Sequence, residues 1–332
     1  MPEQMRVAIG QFNELTHERL TYAKQLGVSG VQMNTPLLPD ERGYWEVADL
    51  KRIRERCEKY GLRLEALENG PLYFLDKVML GLPGRDQLIE NYQQTIRNMG
   101  EAGIPILGYG WMPNWVWRTP YETGRGGVRV TAFDMNKIDS APLVAGLRKL
   151  DVLEGRTIDH EQMWANYAYF IKAVLPVAEE AGVKLAIHPD DPPVPELGGI
   201  ARLFYNFDGF KKAMEEIGPS PNHGIDFCMG CFSEMGPGTI ESIRYFGERN
   251  KIFYVHLRDV QGCVPNFQEC FLGEGNLDVV KVIQTLKQVG FSGFIIDDHV
   301  PHMIDDTEWN HRGHAHATGY ILAMVEAVQA LG

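Results

Sequence analysis

Four apolar runs of strand length each end in a side chain that can bind a metal ion. The first run is followed by His188 and then by Pro189-Asp190-Asp191-Pro192, whose prolines stop further strand pairing. The three later runs carry equivalent residues at their carboxyl ends, namely Cys228, His256 and Asp298. The carboxyl ends of parallel strands meet on one face of an α/β barrel, so we expect these four side chains to converge there.

Two imidazoles, one thiolate and one carboxylate suit a borderline ion such as Mn2+, Fe2+, Co2+ or Zn2+ better than Ca2+ or Mg2+. Zinc is usually filled by four protein ligands, whereas an ion that accepts five or six ligands leaves positions for a substrate. The donor set therefore favours manganese or another six-coordinating ion, such as Co2+ or Fe2+, over zinc. A single histidine or cysteine at a strand end is more often a buried structural residue. Four of them on four strand ends favour a functional cluster.

Side chains on the same strand alternate between its two faces, so Asp226 shares a face with Cys228 and Arg258 shares one with His256. Arg258 is a candidate to bind a substrate carboxylate, and a salt bridge with a neighbouring barrel carboxylate is an equally open alternative. The candidate substrate-binding residues are Arg258, Asp226, Trp111 and Arg118.

Five of the ten histidines follow the last of these strands within a short segment: His299, His302, His311, His314 and His316. Their crowding just after Asp298 favours a functional role for at least one of them, and a solvated loop that carries them idly is the alternative. Histidine exchanges protons near neutral pH, which suits acid or base catalysis. The candidate catalytic residues are His299, Asp297 and His302.

The composition excludes several classes of partner. The 332 residues carry a formal net charge of -12, which argues against binding to nucleic acid or to an anionic membrane. A small anionic substrate stays possible because a bound cation reverses the local field. Five cysteines without a disulfide framework predict a reduced, cytoplasmic protein, although Cys228 and Cys231 form a Cys-x-x-Cys pair with a redox or zinc alternative. Neither a signal-peptide pattern nor an apolar run of ~18 residues is present.

Eight apolar runs alternate with helical segments along the chain, which favours a single (β/α)8 TIM-barrel domain over residues 1–332 rather than a doubly wound sheet. The periodicity predicts long helices over Arg85–Ala102 and His160–Ala181, each followed by a glycine. Residues 113–158 interrupt the rhythm after the fourth strand. Because Trp115 and Trp117 lie in this insertion, we expect a lid over the C-terminal face, with a disordered insertion as the alternative.

The sequence resembles the bacterial mannonate dehydratase family, manganese-dependent lyases on a barrel of the xylose-isomerase type. The resemblance runs through most of the chain and includes Leu80-Gly-Leu-Pro-Gly-Arg-Asp86, His188-Pro-Asp-Asp-Pro-Pro193, Arg244-Tyr-Phe-Gly247, Val255-His-x-Arg258 and Asp298-His299. It implies that His188, Cys228, His256 and Asp298 bind Mn2+ and that His299 is an acid or base. It also implies conversion of D-mannonate to 2-dehydro-3-deoxy-D-gluconate by a homo-oligomer.

The departures from the family pattern lie on the catalytic face. The family's Arg-Pro-Asp-His-Gly is Ile296-Asp-Asp-His-Val300 here, and a family histidine is replaced by Leu272. An aspartate expected after the fourth strand is missing from Trp115-Val-Trp-Arg-Thr119, and a catalytic tyrosine of the family falls near Trp309. The loss of an arginine and the gain of Asp297 disfavour the binding of an anionic substrate near Asp297, because an unpaired charge in a pocket costs several kcal/mol.

Three hypotheses follow from these observations. The first is an active lyase that dehydrates D-mannonate or performs the same elimination on a related sugar acid or keto sugar. The second is a metal-dependent sugar isomerase or epimerase, which removes the same proton but returns it elsewhere without losing water. The third is a binding or regulatory protein that kept only the metal.

Overall fold

A closed barrel of eight parallel strands forms the centre of the protein. The computed structural model describes residues 4–70, 73–138 and 155–331. The barrel strands are β1 (Arg6–Phe12), β2 (Gly30–Asn34), β3 (Arg63–Glu68), β4 (Ile106–Tyr109), β7 (Lys184–Ile187), β10 (His223–Cys228), β11 (Ile252–Leu257) and β14 (Phe294–Asp297). They pair in the order β1-β14-β11-β10-β7-β4-β3-β2, so each strand lies beside its neighbours in the series. The predicted TIM barrel is therefore confirmed.

Helices surround the barrel and connect its strands. They are α1 (His17–Leu26), α2 (Val47–Lys59), α3 (Tyr73–Met79), α4 (Arg85–Ala102), α5 (His160–Ala181), α6 (Phe207–Lys211), α7 (Met229–Glu234), α8 (Thr239–Gly247), α9 (Val279–Gln288) and α10 (His311–Ala330). The predicted ends of α4 and α5 agree with the structure because Gly103 and Gly182 take the left-handed conformation that ends a helix. No helix in the described ranges has the length and apolar character needed to cross a bilayer.

The interior of the barrel follows the two-residue alternation of its strands. Small and large buried side chains fill the layer below the site: Ala8, Ala66, Ile106, Ala186, Tyr254, Phe294 and Ile296. His188 comes two residues after Ala186, His256 two after Tyr254, and Asp298 two after Ile296. Residues separated by two positions share a face, so the last inward positions of these strands carry the candidate ligands.

A second sheet lies at the C-terminal end of the barrel. It contains β5 (Thr119–Thr123), β6 (Arg129–Asp134), β12 (Asp259–Cys263) and β13 (Asn266–Cys270), in the antiparallel order β12-β13-β6-β5. Two short strands, β8 (Glu196–Leu197) and β9 (Ile200–Ala201), form a separate antiparallel pair. Strands β5 and β6 belong to the insertion predicted over residues 113–158, of which residues 139–154 lie outside the described part. A lid function for the whole insertion stays a prediction.

Gly108 in β4 leaves room for a contact across the barrel. Tyr254 Oη donates a hydrogen bond of 3.1 Å to Glu68 Oε2, and a Cβ on residue 108 would overlap Tyr254 Oη and lie 2.8 Å from Glu68 Cγ. We expect Gly108→Ala to lower the free energy of unfolding by about 1–3 kcal/mol, because overpacking a dense core forces side chains from their preferred positions. Chemical denaturation measures the change.

Gly319 in α10 provides the matched control, since a Cβ there meets nothing within 4 Å. Gly319→Ala should leave stability unchanged or raise it by about 0.5–1 kcal/mol, because alanine loses less backbone entropy in a helix. Equal stability of Gly108→Ala and the unsubstituted protein would contradict the packing described for the barrel interior.

Candidate metal centre

Four side chains meet at the carboxyl end of the barrel. His188 follows β7, Cys228 ends β10, His256 lies in β11 and Asp298 follows β14. One ligand atom of each lies within 4.8 Å of those of the other three. Cys228 Sγ is 4.0 Å and His256 Nδ1 is 3.8 Å from Asp298 Oδ2. Ligand atoms bonded to one ion at ~2.1 Å stand about 3 to 4 Å apart. This spacing is compatible with a single bound ion.

Hydrogen-bonding groups set the orientation of both imidazoles. His188 Nδ1 lies 2.7 Å from the carbonyl oxygen of Pro189, which accepts its proton and leaves Nε2 for a metal. His256 Nε2 lies 3.3 Å from Glu68 Oε2 and 3.4 Å from Asp226 Oδ2. These carboxylates favour a proton on Nε2, which leaves Nδ1 directed to the cluster. Neither ring nitrogen of His256 has a hydrogen-bond partner of good geometry among the described residues, and both are buried. A cation would satisfy Nδ1.

The Cys228 thiol is prepared to act as a thiolate. Burial raises its pKa, but the hydrogen bond from Cys231, the charge of Arg258 and the neighbouring imidazoles of His188 and His256 outweigh burial and hold the pKa well below its usual value. The thiolate is the form of cysteine that binds metals. Cys231 therefore supports Cys228 as a hydrogen-bond donor, and both residues are free thiols in the structure.

Arg258 binds carboxylates behind the metal cluster. Its Nη1 lies 2.5 Å from Glu234 Oε1 and 2.8 Å from Glu269 Oε1, and its Nη2 lies 3.0 Å from Asp191 Oδ2. Its Nε lies 3.2 Å from Asp298 Oδ2. The side chain is 1% exposed, so it has no free face for a ligand. This placement contradicts the predicted contact of Arg258 with substrate and supports the salt-bridge alternative.

Arg118 connects this network to His299 at the cavity wall. Its Nη1 and Nη2 lie 2.5 and 2.7 Å from the two carboxylate oxygens of Asp191, and Nη2 is 3.0 Å from His299 Nδ1. Glu269 Oε1 is also 3.0 Å from His299 Nδ1 and can accept its proton. Burial lowers the pKa of His299, but Asp298 and Glu269 outweigh burial and raise it. His299 Nε2, which is 3.7 Å from Asp298 Oδ1, faces the metal cluster.

Trp111 and Asp226 lie outside the cavity wall, which contradicts their predicted contact with substrate. Trp111 is 1% exposed and packs against Phe170 and Tyr167 of α5, with ring centroids 5.2 and 5.1 Å away. It is an odd-numbered residue like Tyr109 in β4, and alternation turns both side chains toward the helices. Asp226 is fully buried inside the barrel beneath the site, where it lies against His256 Nε2.

Asp297 and His302 are also removed from the cavity, which contradicts direct catalytic roles for them. Asp297 is 1% exposed, and its Oδ2 accepts a hydrogen bond of 2.8 Å from His314 Nδ1. His302 contacts the side-chain oxygen of Asn310. Its backbone N–H donates a hydrogen bond of 2.9 Å to the backbone carbonyl oxygen of Arg129 in β6. His302 thus joins the loop after β14 to the second sheet.

The cavity above the metal cluster has a volume of about 500 Å3, and its wall includes His188, His256, Asp298, His299 and Arg118. Sequence analysis missed several other lining residues: Gln11, Asn34, Glu68, Asn69 and Glu308. His314, one of the five histidines that follow Asp298, also lines the cavity. Gln11 contacts Asp298 directly. Glu68 ends a strand in the same way as the metal ligands do, and that signal could have identified it. Gln11 and Asn69 have left-handed backbones (φ 64° and 52°), which the sequence does not reveal.

The substituted family positions differ in their relation to this cavity. Ile296 is fully buried in the barrel interior below Asp298, and Leu272 is 7% exposed in the core. Trp309 lines the cavity and stacks on His314, with ring centroids 4.0 Å apart and planes inclined by 16°. The sequence departures therefore place two aromatic rings, Trp115 and Trp309, on the substrate side of the site.

Comparison with known proteins agrees with these features. The family model for D-mannonate dehydratase (UxuA) matches residues 5–331. Mannonate dehydratase 2 of Halalkalibacterium halodurans is 30% identical over 316 residues, with 89% of this chain and 90% of the relative covered. The mannonate dehydratase of Thermotoga petrophila is 30% identical over 292 residues, with 77% of this chain and 78% of the relative covered.

Solved structures show the same relationship. The mannonate dehydratase of Streptococcus suis serotype 2 superimposes with a TM-score of 0.86 at 29% identity, covering 99% of this chain and 96% of that one. A xylose isomerase domain protein from Planctomyces limnophilus has a TM-score of 0.62 at 14% identity, with 99% of each chain covered, and shares the fold alone. The chain therefore belongs to the D-mannonate dehydratase family, and it is an enzyme of the hydro-lyase class.

Proposed function

We propose that this protein catalyses the Mn2+-dependent dehydration of D-mannonate to 2-dehydro-3-deoxy-D-gluconate, or the same elimination on a related sugar acid or keto sugar. The observation that carries the proposal is the cluster of four potential metal ligands beside His299 on one cavity. Family membership supports the reaction class. A cavity of about 500 Å3 has the size of a small-molecule site.

The residues that would hold the ion are His188, Cys228, His256 and Asp298. A divalent ion bound there supplies Lewis acidity toward the carboxylate and the C2 hydroxyl of the substrate. Four protein ligands leave open positions on an ion that accepts six, which favours Mn2+ over Zn2+, with Co2+ and Fe2+ as alternatives.

The charge of the cavity wall makes the binding of a substrate carboxylate dependent on that ion. Arg118 is the sole arginine or lysine among the described lining residues, and its guanidinium is already paired with Asp191. Carboxylates of Glu68, Asp298 and Glu308 also line the cavity. A sugar acid without a cation would meet net negative charge, so metal and substrate binding are expected to be linked.

His299 is the group that removes the C2 proton in this proposal. Its Nε2 faces the metal side of the cavity, where the carbon beside the carboxylate would lie. Glu269 accepts the Nδ1 proton and fixes the ring, so Nε2 is the nitrogen that exchanges protons. Arg118 Nη2 donates to Glu269 Oε1 at 3.3 Å and so helps to hold the carboxylate that accepts the Nδ1 proton.

A metal-dependent sugar isomerase or epimerase is the second candidate, because it needs the same abstraction of a proton beside a carbonyl or hydroxyl. The carboxylates on the cavity wall favour it, since a neutral sugar avoids their repulsion. A cytoplasmic location and a homo-oligomeric assembly remain predictions.

The product formed in the presence of Mn2+ separates these candidates. The protein stripped with EDTA should be inactive toward D-mannonate, and Mn2+ should restore turnover, because the lining residues provide no free cation for the carboxylate. Proton NMR of the product should show a new C3 methylene. Deuterium exchange of a substrate C–H without net dehydration would instead support the isomerase. If no sugar or sugar acid exchanged a proton, the result would support the third hypothesis, a binding or regulatory protein that kept only the metal.

Cys228→Ser should lower the affinity for Mn2+ by at least about 10- to 100-fold. Losing a residue that only supports a metal ligand already has an effect of this size, and loss of the ligand itself should have no smaller one. Metal analysis after dialysis measures the stoichiometry. Cys263→Ser is the matched control because Cys263 is exposed and belongs to none of the ligand clusters formed by the described residues. Full metal content in Cys228→Ser would show that Cys228 is not a ligand.

His299→Gln should reduce kcat by about 10²–10⁴-fold, the usual contribution of general acid–base catalysis, while metal content stays the same. His17→Gln is the control, because His17 lies in α1 and contacts Tyr60 at the surface. Steady-state kinetics at saturating Mn2+ tests the role. Retention of kcat within a factor of about three would assign proton abstraction to another group.

A further inference from the structure

Asp297 and His314 form a carboxylate–imidazole pair with one member in the cavity. His314, in the first turn of α10, lines the cavity, whereas Asp297 lies behind the wall at the end of β14. His314 Nδ1 donates to Asp297 Oδ2 over 2.8 Å, and both side chains are at least nine-tenths buried. Since Asp297 occupies Nδ1, Nε2 is the nitrogen that His314 can present to a substrate.

Trp309 fixes the plane of the same imidazole. The two rings stack with centroids 4.0 Å apart and planes inclined by 16°. Trp309 in turn packs against Phe12 at the end of β1, with centroids 5.0 Å apart. Asp297 sets the rotation of the His314 ring and Trp309 sets its plane, so the imidazole is held in one orientation as proton transfer requires.

Two differently supported imidazoles therefore face one cavity. His299 follows the metal-ligand candidate Asp298 and is held by Glu269 and Arg118, while His314 comes from α10 and is held by Asp297. Loss of water needs two proton transfers, one from C2 and one to the hydroxyl on C3. The separate positions and partners of the two histidines suit this division.

We propose that His314 is the acid that protonates the departing C3 hydroxyl and that Asp297 is its positioning residue; this rests on the dehydration proposed above. His299 first takes the C2 proton reversibly, and the C2–H electron pair is delocalised into the C1 carboxylate before it becomes the C2–C3 double bond. The C3–O bond breaks as the hydroxyl receives the Nε2 proton of His314 and leaves as water. The enol product then tautomerises to the 2-keto acid.

The test measures dehydration of D-mannonate and exchange of its C2 proton in D2O with Mn2+ present. His314→Gln should lower dehydration by at least about 100-fold and retain C2 exchange. His299→Gln should lose both reactions. His316→Gln is the matched control, because His316 is exposed two residues further along α10 and packs against Phe271. Metal content and circular dichroism confirm that each variant is folded and loaded.

Asp297→Asn tests whether Asp297 positions the His314 imidazole. It should lower kcat by about 10-fold or more with KM unchanged, since the interaction acts in the transition state. Imidazole added to His314→Ala should restore part of the dehydration, which a purely structural role would not allow. Dehydration by His314→Gln at the wild-type rate, or loss of C2 exchange together with dehydration, would overturn the assignment. Wild-type protein that forms no product from D-mannonate would instead overturn the proposed function and this inference with it.

Discussion

The metal cluster depends on the buried guanidinium of Arg258. It lies between Asp298 on the cavity side and Glu234, Glu269 and Asp191 behind it. Its charge also lowers the pKa of the Cys228 thiol. Without it, Glu234 would lose the cation it pairs with while it stays buried, at a cost of roughly 3–5 kcal/mol for a broken buried pair. Gly230 leaves the space that this side chain occupies, because a Cβ there would lie 2.5 Å from Arg258 Cζ.

The same charge network connects the barrel to the second sheet. Glu269 comes from β13 and Arg118 from the stretch that enters β5, and both contact His299 Nδ1. The described part of the insertion therefore contributes to the orientation of His299 as well as to the cavity wall. An insertion that served only as a cover would not need to bury an arginine with 1% exposure between two carboxylates.

Sequence reasoning located the barrel and the cluster because both follow from simple rules: parallel strand ends converge, and alternate residues share a face. The same alternation could have excluded Trp111, which has the outward parity of Tyr109. The partners of Arg258 could not be read from sequence, because they come from four separate segments. The sequence did not distinguish His314 from the other four histidines of its segment. Helix α10 begins at His311, and Asp306 accepts the backbone N–H groups of Arg312 and Gly313 in its first turn, which places His314 on the helix.

Asp297 shows why a substitution cannot be interpreted from its charge alone. As a pocket residue it would repel an anionic substrate, and an unpaired carboxylate buried to 1% exposure would be costly. The structure removes both difficulties, because Asp297 points behind the wall and binds His314 Nδ1. Trp309 then covers the face of that imidazole. Asp297, Trp309 and His314 therefore have to be interpreted as one unit, in which the added carboxylate reaches the substrate only through a histidine.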